Sequence, residues 1–444
     1  MTPSVDELKR RFGRVIDQKK ETIISLTQRV LKTPETGFRE EKTARLVAEM
    51  FAEWEIPHRT GLALTGVKGI LRGREEGPTA AVLGELDALL IPDHPQADPQ
   101  SGAAHACGHH AQIGMLLGTA LGFVGSHVLD HLSGRVIFMA VPAEEYIEIE
   151  FRNRLRQEGK IRFLAGKQEL IRLGEFDDVD LAMMVHSHVH PQGKMLGVGG
   201  TSNGMLAKEI RFIGRAAHAG AAPHKGVNAL NAAMIALAAI HAQRETFREK
   251  DAIRIHPIIT QGGEAVNIVP ADVRMETFVR GKSWEAIRLA EEKVDRCLRA
   301  GALAVGGKVR ITTLAGYSPM LNHPGLEEVF LKNALHLLGE EKAGRGEGHL
   351  AGSTDMGDVS QILPAIHPYA GGAAGQSHGN DFRIEDYESA VIAPAKVMGM
   401  TIIDLLAGGA VQAKEILSTY RPAMTKAEYL ALMEGMFREE EYVG

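Results

Sequence analysis

The segment HACGHH, residues 105–110, sets a thiol and an imidazole two positions apart in a glycine-containing turn. Cys107 and His109 at that spacing can point at one cation, and thiolate with imidazole suits zinc and related first-row metals. Glu144 and Glu145 end the run VIFMAVPAEE. Adjacent carboxylates at a strand end are costly unless a cation or solvent meets them. Their side chains face different ways, so one ligand and one general base is a natural division. His186 and His188 end the run LAMMVHSH, and strand alternation puts both on one face. His378 lies in the glycine-rich stretch GGAAGQSHGNDF. Each group alone has a plain alternative: an inert cysteine, a solvated acidic turn, a surface histidine. Several such groups at the ends of successive strands point instead to one metal site.

The elements that carry them follow from periodicity. Residues 5–32 and 40–55 repeat apolar positions every three or four residues, which predicts helices. GVKGILRG, TAAVLGELDALL, GRVIFMAVPAEE and VDLAMMVHSHVHP read as strands, and AQIGMLLGTALGFVGSHV as a buried helix. This alternation predicts an α/β fold with a mostly parallel sheet flanked by helices. Ligands in such sheets sit outside the carboxyl ends of the strands. The middle differs. LAKEIRFIG, a helix over 226–244, RIHPIITQGG, ADVRMETFVRG, a helix over 283–303 and KVRITTLAG give the strand-helix-strand-strand-helix-strand order of a ferredoxin-like α+β domain. It reads as an insertion. Residues 1–204 and 313–444 are then two parts of one catalytic domain, and 205–312 an inserted lid or dimerisation domain. A helix is expected near 385–408, and the last 30 residues read as a charged helical tail.

Composition narrows the function classes. Of 444 residues, 44% are apolar and 24% charged, as a globular protein with a real core requires. The formal net charge is -6 with no basic cluster, so no nucleic-acid partner is expected. No apolar run approaches the roughly 20 residues that span a bilayer, so no membrane association is expected. The N-terminus reads as a charged amphipathic helix rather than a signal peptide. Two cysteines exclude a disulfide framework and suggest a reducing cytoplasm. Cys297, in a helical pattern, reads as a core residue.

With these segments in view the chain resembles the amidohydrolase branch of metallopeptidase family twenty, which includes aminoacylases, aminobenzoyl-glutamate hydrolases and aminoacylase-1-like dipeptidases. The resemblance rests on GELDALLIP, HACGHH, VPAEE, AMMVHSH, GRAAHAGAAPHKGVNAL, QGGEAVNIVP, GSTDMGDVS and SHGNDF, in family order over nearly the whole chain. It implies a di-metal peptidase catalytic domain with Cys107, His109, Glu145, His186 and His378 as ligands. It implies Glu144 as general base, Asp87 as the residue that orients a ligand, and His218 and Asn267 as substrate contacts from the inserted domain. In dimeric members this histidine reaches the partner's site, so His218 is also a catalytic candidate. Two divalent ions per subunit are implied, of zinc, manganese or cobalt, and a homodimer built through the inserted domain.

The implied function is hydrolysis of the amide bond of N-acyl amino acids or small dipeptide-like substrates by a metal-activated water. A di-metal dipeptidase or aminobenzoyl-glutamate-type hydrolase is the alternative. A non-catalytic metal-binding assembly protein is a remote one, since a binding-only site has no need of Glu144. Some positions depart from the family pattern. Glu85 and His110 replace aspartates, Gln112 stands where a second histidine is usual, and the bulky YIEIEFRNRLRQEGK replaces a glycine-rich stretch. HVHP also resembles the branch's HVxP form, which keeps His188 open as the ligand in place of His186.

Overall fold

The uncharged run from Thr79 to Gly84 is buried on both faces, which only the middle of a sheet permits. In the computed structural model, which describes residues 3–189, 194–346 and 348–444, this run belongs to strand Glu75–Glu85. It pairs in parallel with Ser133–Val141 on one side and Leu181–Met183 on the other. Six strands form this sheet: His58–Leu62 and Gly66–Arg72 run antiparallel at one edge, and Ala365–Ile366 closes the other. The expected α/β catalytic domain is therefore present.

Helix His109–Ser126 is apolar nearly all round and accordingly buried. Its glycines let other helices come close: a Cβ on Gly122 would lie 2.6 Å from the Phe12 ring, and one on Gly399 only 1.9 Å. Gly399 belongs to Glu388–Leu406, a helix long and apolar enough to cross a membrane, with mean hydropathy 1.5. This corrects the expectation that no such segment exists. The fold buries 94% of it, however, and it serves as a core helix against Val5–Gln18 and His109–Ser126.

The middle block forms a second, antiparallel sheet. Its order is Arg254–Ile255, Asp272–Gly281, Gly204–Ile213, Lys308–Ala315, Arg438–Val443, with Ile258–Gln261 also paired to Asp272–Gly281. Helices Ala229–Ala242 and Trp284–Val305 cover one face, and Cys297 is buried beneath them. Burial alternates strictly along Asp272–Gly281, as a half-buried strand should.

Three expectations need correction here. LAKEIRFIG, expected as an edge strand that with the adjacent long helix could offer a twofold contact, is not an edge, because Gly204–Ile213 pairs on both sides. RIHPIITQGG breaks into two short strands around Pro257, which lacks the N–H a ladder needs. The C-terminal tail is not all helix: after helix Lys426–Glu434, Arg438–Val443 adds a strand to the inserted sheet. The run LAMMVHSH also divides. Leu181–Met183 stays in the large sheet, while His186–Ser187 joins a separate four-stranded sheet beside Tyr369–Ala370.

Candidate metal centre

Three strands and two loops bring their residues together at Cys107. Strand Glu75–Glu85 delivers Glu85 and Asp87, and the loop through Cys107 turns at Gly108 (φ 98°) into helix His109–Ser126. Strand Ser133–Val141 runs into Glu144 and Glu145 through Ala143, itself left-handed at φ 54°. His378, at φ 63°, is tied to this loop by its N–H to the Ala106 carbonyl, 2.9 Å.

Two triads share the thiol. Donor atoms of Cys107, His109 and His186 lie within 4.8 Å of one another, and so do those of Cys107, Glu145 and His378. Cys107 Sγ is 3.4 Å from His186 Nε2, and His378 Nε2 is 3.4 Å from Glu145 Oε1. A third set joins His109 to Glu85 and Glu144. His109 Nε2 is 3.1 Å from Glu85 Oε2 and 3.9 Å from Glu144 Oε2. Proximity is not bonding, however. His109 Nε2 and Glu145 Oε1 are both buried without a hydrogen-bond partner, and such groups are rare in folded proteins. Thiol, imidazole and carboxylate donors around an unsatisfied centre fit a divalent first-row ion.

Asp87 aligns both triads. It accepts from His109 Nδ1 through its carbonyl oxygen (3.0 Å) and Oδ1 (3.1 Å), which leaves Nε2 aimed inward. Its Oδ2 accepts from the Glu145 N–H at 2.8 Å. His186 Nδ1 donates to the Ser187 carbonyl at 2.7 Å, so its Nε2 likewise faces Cys107. His188 sits apart, its ring 5.7 Å from Tyr369, and His190 and Pro191 of HVHP lie outside the described residues. His218 and Asn267 pair with each other's loops and are exposed. His218 Nδ1 accepts from the N–H groups of Gly220 and Ala221. Among the described residues, nothing joins either to the cluster within one protomer.

Electrostatics at the centre favour a cation. Burial, then the Glu145 charge, pushes the Cys107 thiol well up. Burial works against a charged His109, but Glu85 and Cys107 outweigh it and hold the imidazole well above its ordinary value. Burial, then the charges of Glu85 and Glu145, raises Glu144 well above the carboxylate range. A bound cation would invert this logic by stabilising the thiolate and the carboxylates.

Several residues here carry no signal in the sequence. Lys167 is wholly buried and bridges Glu85 (2.6 Å) and Asp355 (2.5 Å). Gln112 Nε2 also donates to Glu85, at 2.7 Å. Burial raises Asp355 to about 6 despite the lysine. The Glu144–Glu145 turn is braced from three sides. Glu40 accepts from Ala143 N–H at 2.7 Å, Tyr317 Oη donates to the Glu144 carbonyl, and Arg152 donates to the carbonyls of Ala143, Leu164 and Glu145. Arg152 comes from the bulky YIEIEFRNRLRQEGK segment, which therefore supports the turn. Arg280, half-buried at the end of strand Asp272–Gly281, lies within electrostatic reach of Glu144 and Glu145.

The profile of the peptidase dimerisation domain matches residues 201–304. The mouse (Mus musculus) Xaa-Arg dipeptidase is 29% identical over 380 residues, covering 82% of this chain and 79% of the relative. The N-acyl-L-amino acid amidohydrolase of Geobacillus stearothermophilus is 28% identical, covering 71% and 82%. Among solved structures, a putative aminohydrolase from methicillin-resistant Staphylococcus aureus superposes with a TM-score of 0.69 at 21% identity, covering 90% of this chain and all of its own. The Bacillus subtilis YXEP protein, described as a dinuclear metal binding peptidase, gives 0.63 at 21%, covering 87% and 98%. These structures share the fold.

Proposed function

We propose that this chain, a member of the family-twenty peptidases and amidohydrolases, uses two divalent ions to hydrolyse the amide bond of N-acyl amino acids or small dipeptide-like substrates. Cys107, His109 and His186 would hold one ion, and Cys107, Glu145 and His378 the other. The observation that carries this reading is the pair of triads sharing Cys107, with His109 Nε2 and Glu145 Oε1 buried and making no hydrogen bond. When bound, such ions supply positive charge at the scissile carbonyl and a water acidified toward neutrality. Zinc or cobalt suits the thiolate, while the histidines and Glu145 also suit manganese.

The remaining work falls to the protein's own groups. Glu144 belongs to neither triad, and burial beside Glu85 and Glu145 favours its protonated form. The cations held by the two triads would return Glu144 to its carboxylate form, which can take a proton from the attacking water and then pass it to the leaving nitrogen. Asp87 keeps His109 and Glu145 in place. Arg280, facing the same carboxylates from the inserted domain, suits the free carboxylate of the substrate's amino acid. His218 and Asn267 would act on the site of a partner protomer. A dipeptidase and an acyl-amino-acid hydrolase differ here only in the acyl half. A thiolate centre fits a reducing compartment such as the cytoplasm.

The test combines metal analysis with one variant. Purified protein should carry close to two divalent ions per chain and lose activity with a chelator. Glu144→Gln should keep the metal and lose roughly a hundred- to ten-thousand-fold in kcat. Full activity after complete metal removal, or wild-type turnover in Glu144→Gln, rejects the proposal.

A further inference from the structure

Beside the metal cluster lies a cavity of about 240 Å³, lined in part by Ser202, Met320, Asn322, His349, His367 and Tyr369. Its inner wall touches the reaction centre: the ring of His186 lies 5.9 Å from that of His367 and 6.2 Å from that of Tyr369. Two polar groups in this wall lack partners. His367 is 2% exposed, and neither ring nitrogen is hydrogen-bonded. Ser202, 5% exposed, has an unpartnered Oγ. Buried groups left unsatisfied in this way ask for an occupant with oxygen acceptors or donors.

The surrounding groups are already committed, which fixes the wall. Asn322 donates to the Gly200 carbonyl at 3.0 Å and accepts from the His367 N–H at 2.9 Å. Asn203 donates to two carbonyls, so its Oδ1 must accept from His349 Nε2–H at 2.8 Å. His349 Nδ1 then accepts from the Thr201 hydroxyl, also at 2.8 Å. The charges nearby are positive. Lys282 and Arg254 act on His349, and Arg254 is the cross-strand neighbour of Arg280. No described lining residue is a carboxylate.

We propose that this cavity is the side-chain subsite for the amino acid the enzyme releases, and that it takes a carboxylate or carboxamide side chain in preference to a basic one. This rests on the cluster being the reaction centre. A ring N–H of His367 and the Ser202 hydroxyl donate to the side-chain oxygen, while Arg280 holds the α-carboxylate. The cations at the rim repel a guanidinium, so the chain parts company here with the relative named Xaa-Arg dipeptidase.

The test is a panel of N-acetyl amino acids and β-alanyl dipeptides ending in glutamate, glutamine, leucine, arginine or alanine, run on the metal-loaded enzyme. The glutamate and glutamine substrates should exceed the arginine ones in kcat/KM by about tenfold or more. Ser202→Ala should lower the first two by roughly tenfold, as loss of a hydrogen bond to a charged or polar oxygen does, and leave the alanine substrates within about twofold. Lys282→Glu should weaken glutamate and spare glutamine. Titration calorimetry of wild-type holoenzyme with free glutamate, glutamine and arginine should give the same order and does not depend on any variant folding. A preference for arginine, or an equal loss on every substrate in Ser202→Ala, overturns the subsite. If no panel member is hydrolysed with two metals bound, the reaction reading itself fails, and the subsite with it.

Discussion

Asp87 is where two ligand sets depend on one side chain. One oxygen accepts from His109 Nδ1 and the other from the Glu145 main chain, so a neutral carboxamide cannot replace it. A carboxamide at this position could offer one acceptor, but its NH2 would meet an N–H that also donates. Asp87→Asn should therefore weaken metal affinity about ten- to a hundredfold, the usual worth of such supporting groups, with little change in fold. Competition with a chromophoric chelator measures this, and unchanged affinity would show that Asp87 merely packs. The residues gathered around Cys107 stand in short motifs at strand ends or in glycine-rich loops, which is why the sequence exposes them. Lys167, Arg152, Glu40 and Tyr317 sit in ordinary helical or loop segments. Their importance arises from contacts across long stretches of chain, which no local pattern records. Arg280 closes an alternating strand like many others, and only the fold brings it within electrostatic reach of Glu144 and Glu145.

At the scale of elements, the inserted sheet meets the catalytic domain through a set of carboxylates. Glu209 and Glu276 stand opposite each other on neighbouring strands. Glu150 of helix Ile149–Gln157 adds a third negative group, partly answered by Arg274 at 3.3 Å, while Asn153 donates to Glu209 at 3.1 Å. Burial, then the charges of Glu209 and Glu150, raises Glu276 to about 7. A carboxyl raised in the folded state contributes stability that is fully present below its unfolded value, near 4.5, and lost as pH rises through about 7. Glu276→Gln should thus match wild type in Tm at pH 5 and exceed it at pH 8. Equal melting at both pH values would mean that water relieves the repulsion. The strand-helix-strand-strand-helix-strand order of this domain was legible in periodicity alone. The added C-terminal strand was not. REEEYV is mostly charged, and it is a strand because the edge of Lys308–Ala315 and the cations Lys308 and Arg310 receive its glutamates.

For the whole molecule, the sheet edges decide how two copies can meet. Arg438–Val443 covers one edge of the inserted sheet within the same chain. The other edge, Arg254–Ile255 and Ile258–Gln261, has no strand beyond it and exposes Ile258 and Ile259. Met234 and Ile235 on helix Ala229–Ala242 and Val266 and Ile268 on the adjoining loop are exposed as well. An edge with exposed apolar residues, charged at Arg254, invites pairing with another chain, and a twofold axis there makes the contact self-complementary. Such a contact would not use LAKEIRFIG, which is internal to its sheet, but the outer edge together with the long helix Ala229–Ala242, both within the domain matched by the dimerisation profile. His218 and Asn267 share the exposed loop region of Val266 and Ile268, so the same axis would carry them toward a partner. Ile258→Asp should therefore yield a folded, metal-loaded monomer with strongly reduced turnover, read by light scattering and kcat together. Mixing His218→Ala with Glu144→Gln dimers, each inactive alone, should restore part of the activity after subunit exchange. Hybrid dimers then contain one site with both groups intact. A monomeric Ile258→Asp enzyme with full turnover would show that each protomer completes its own site.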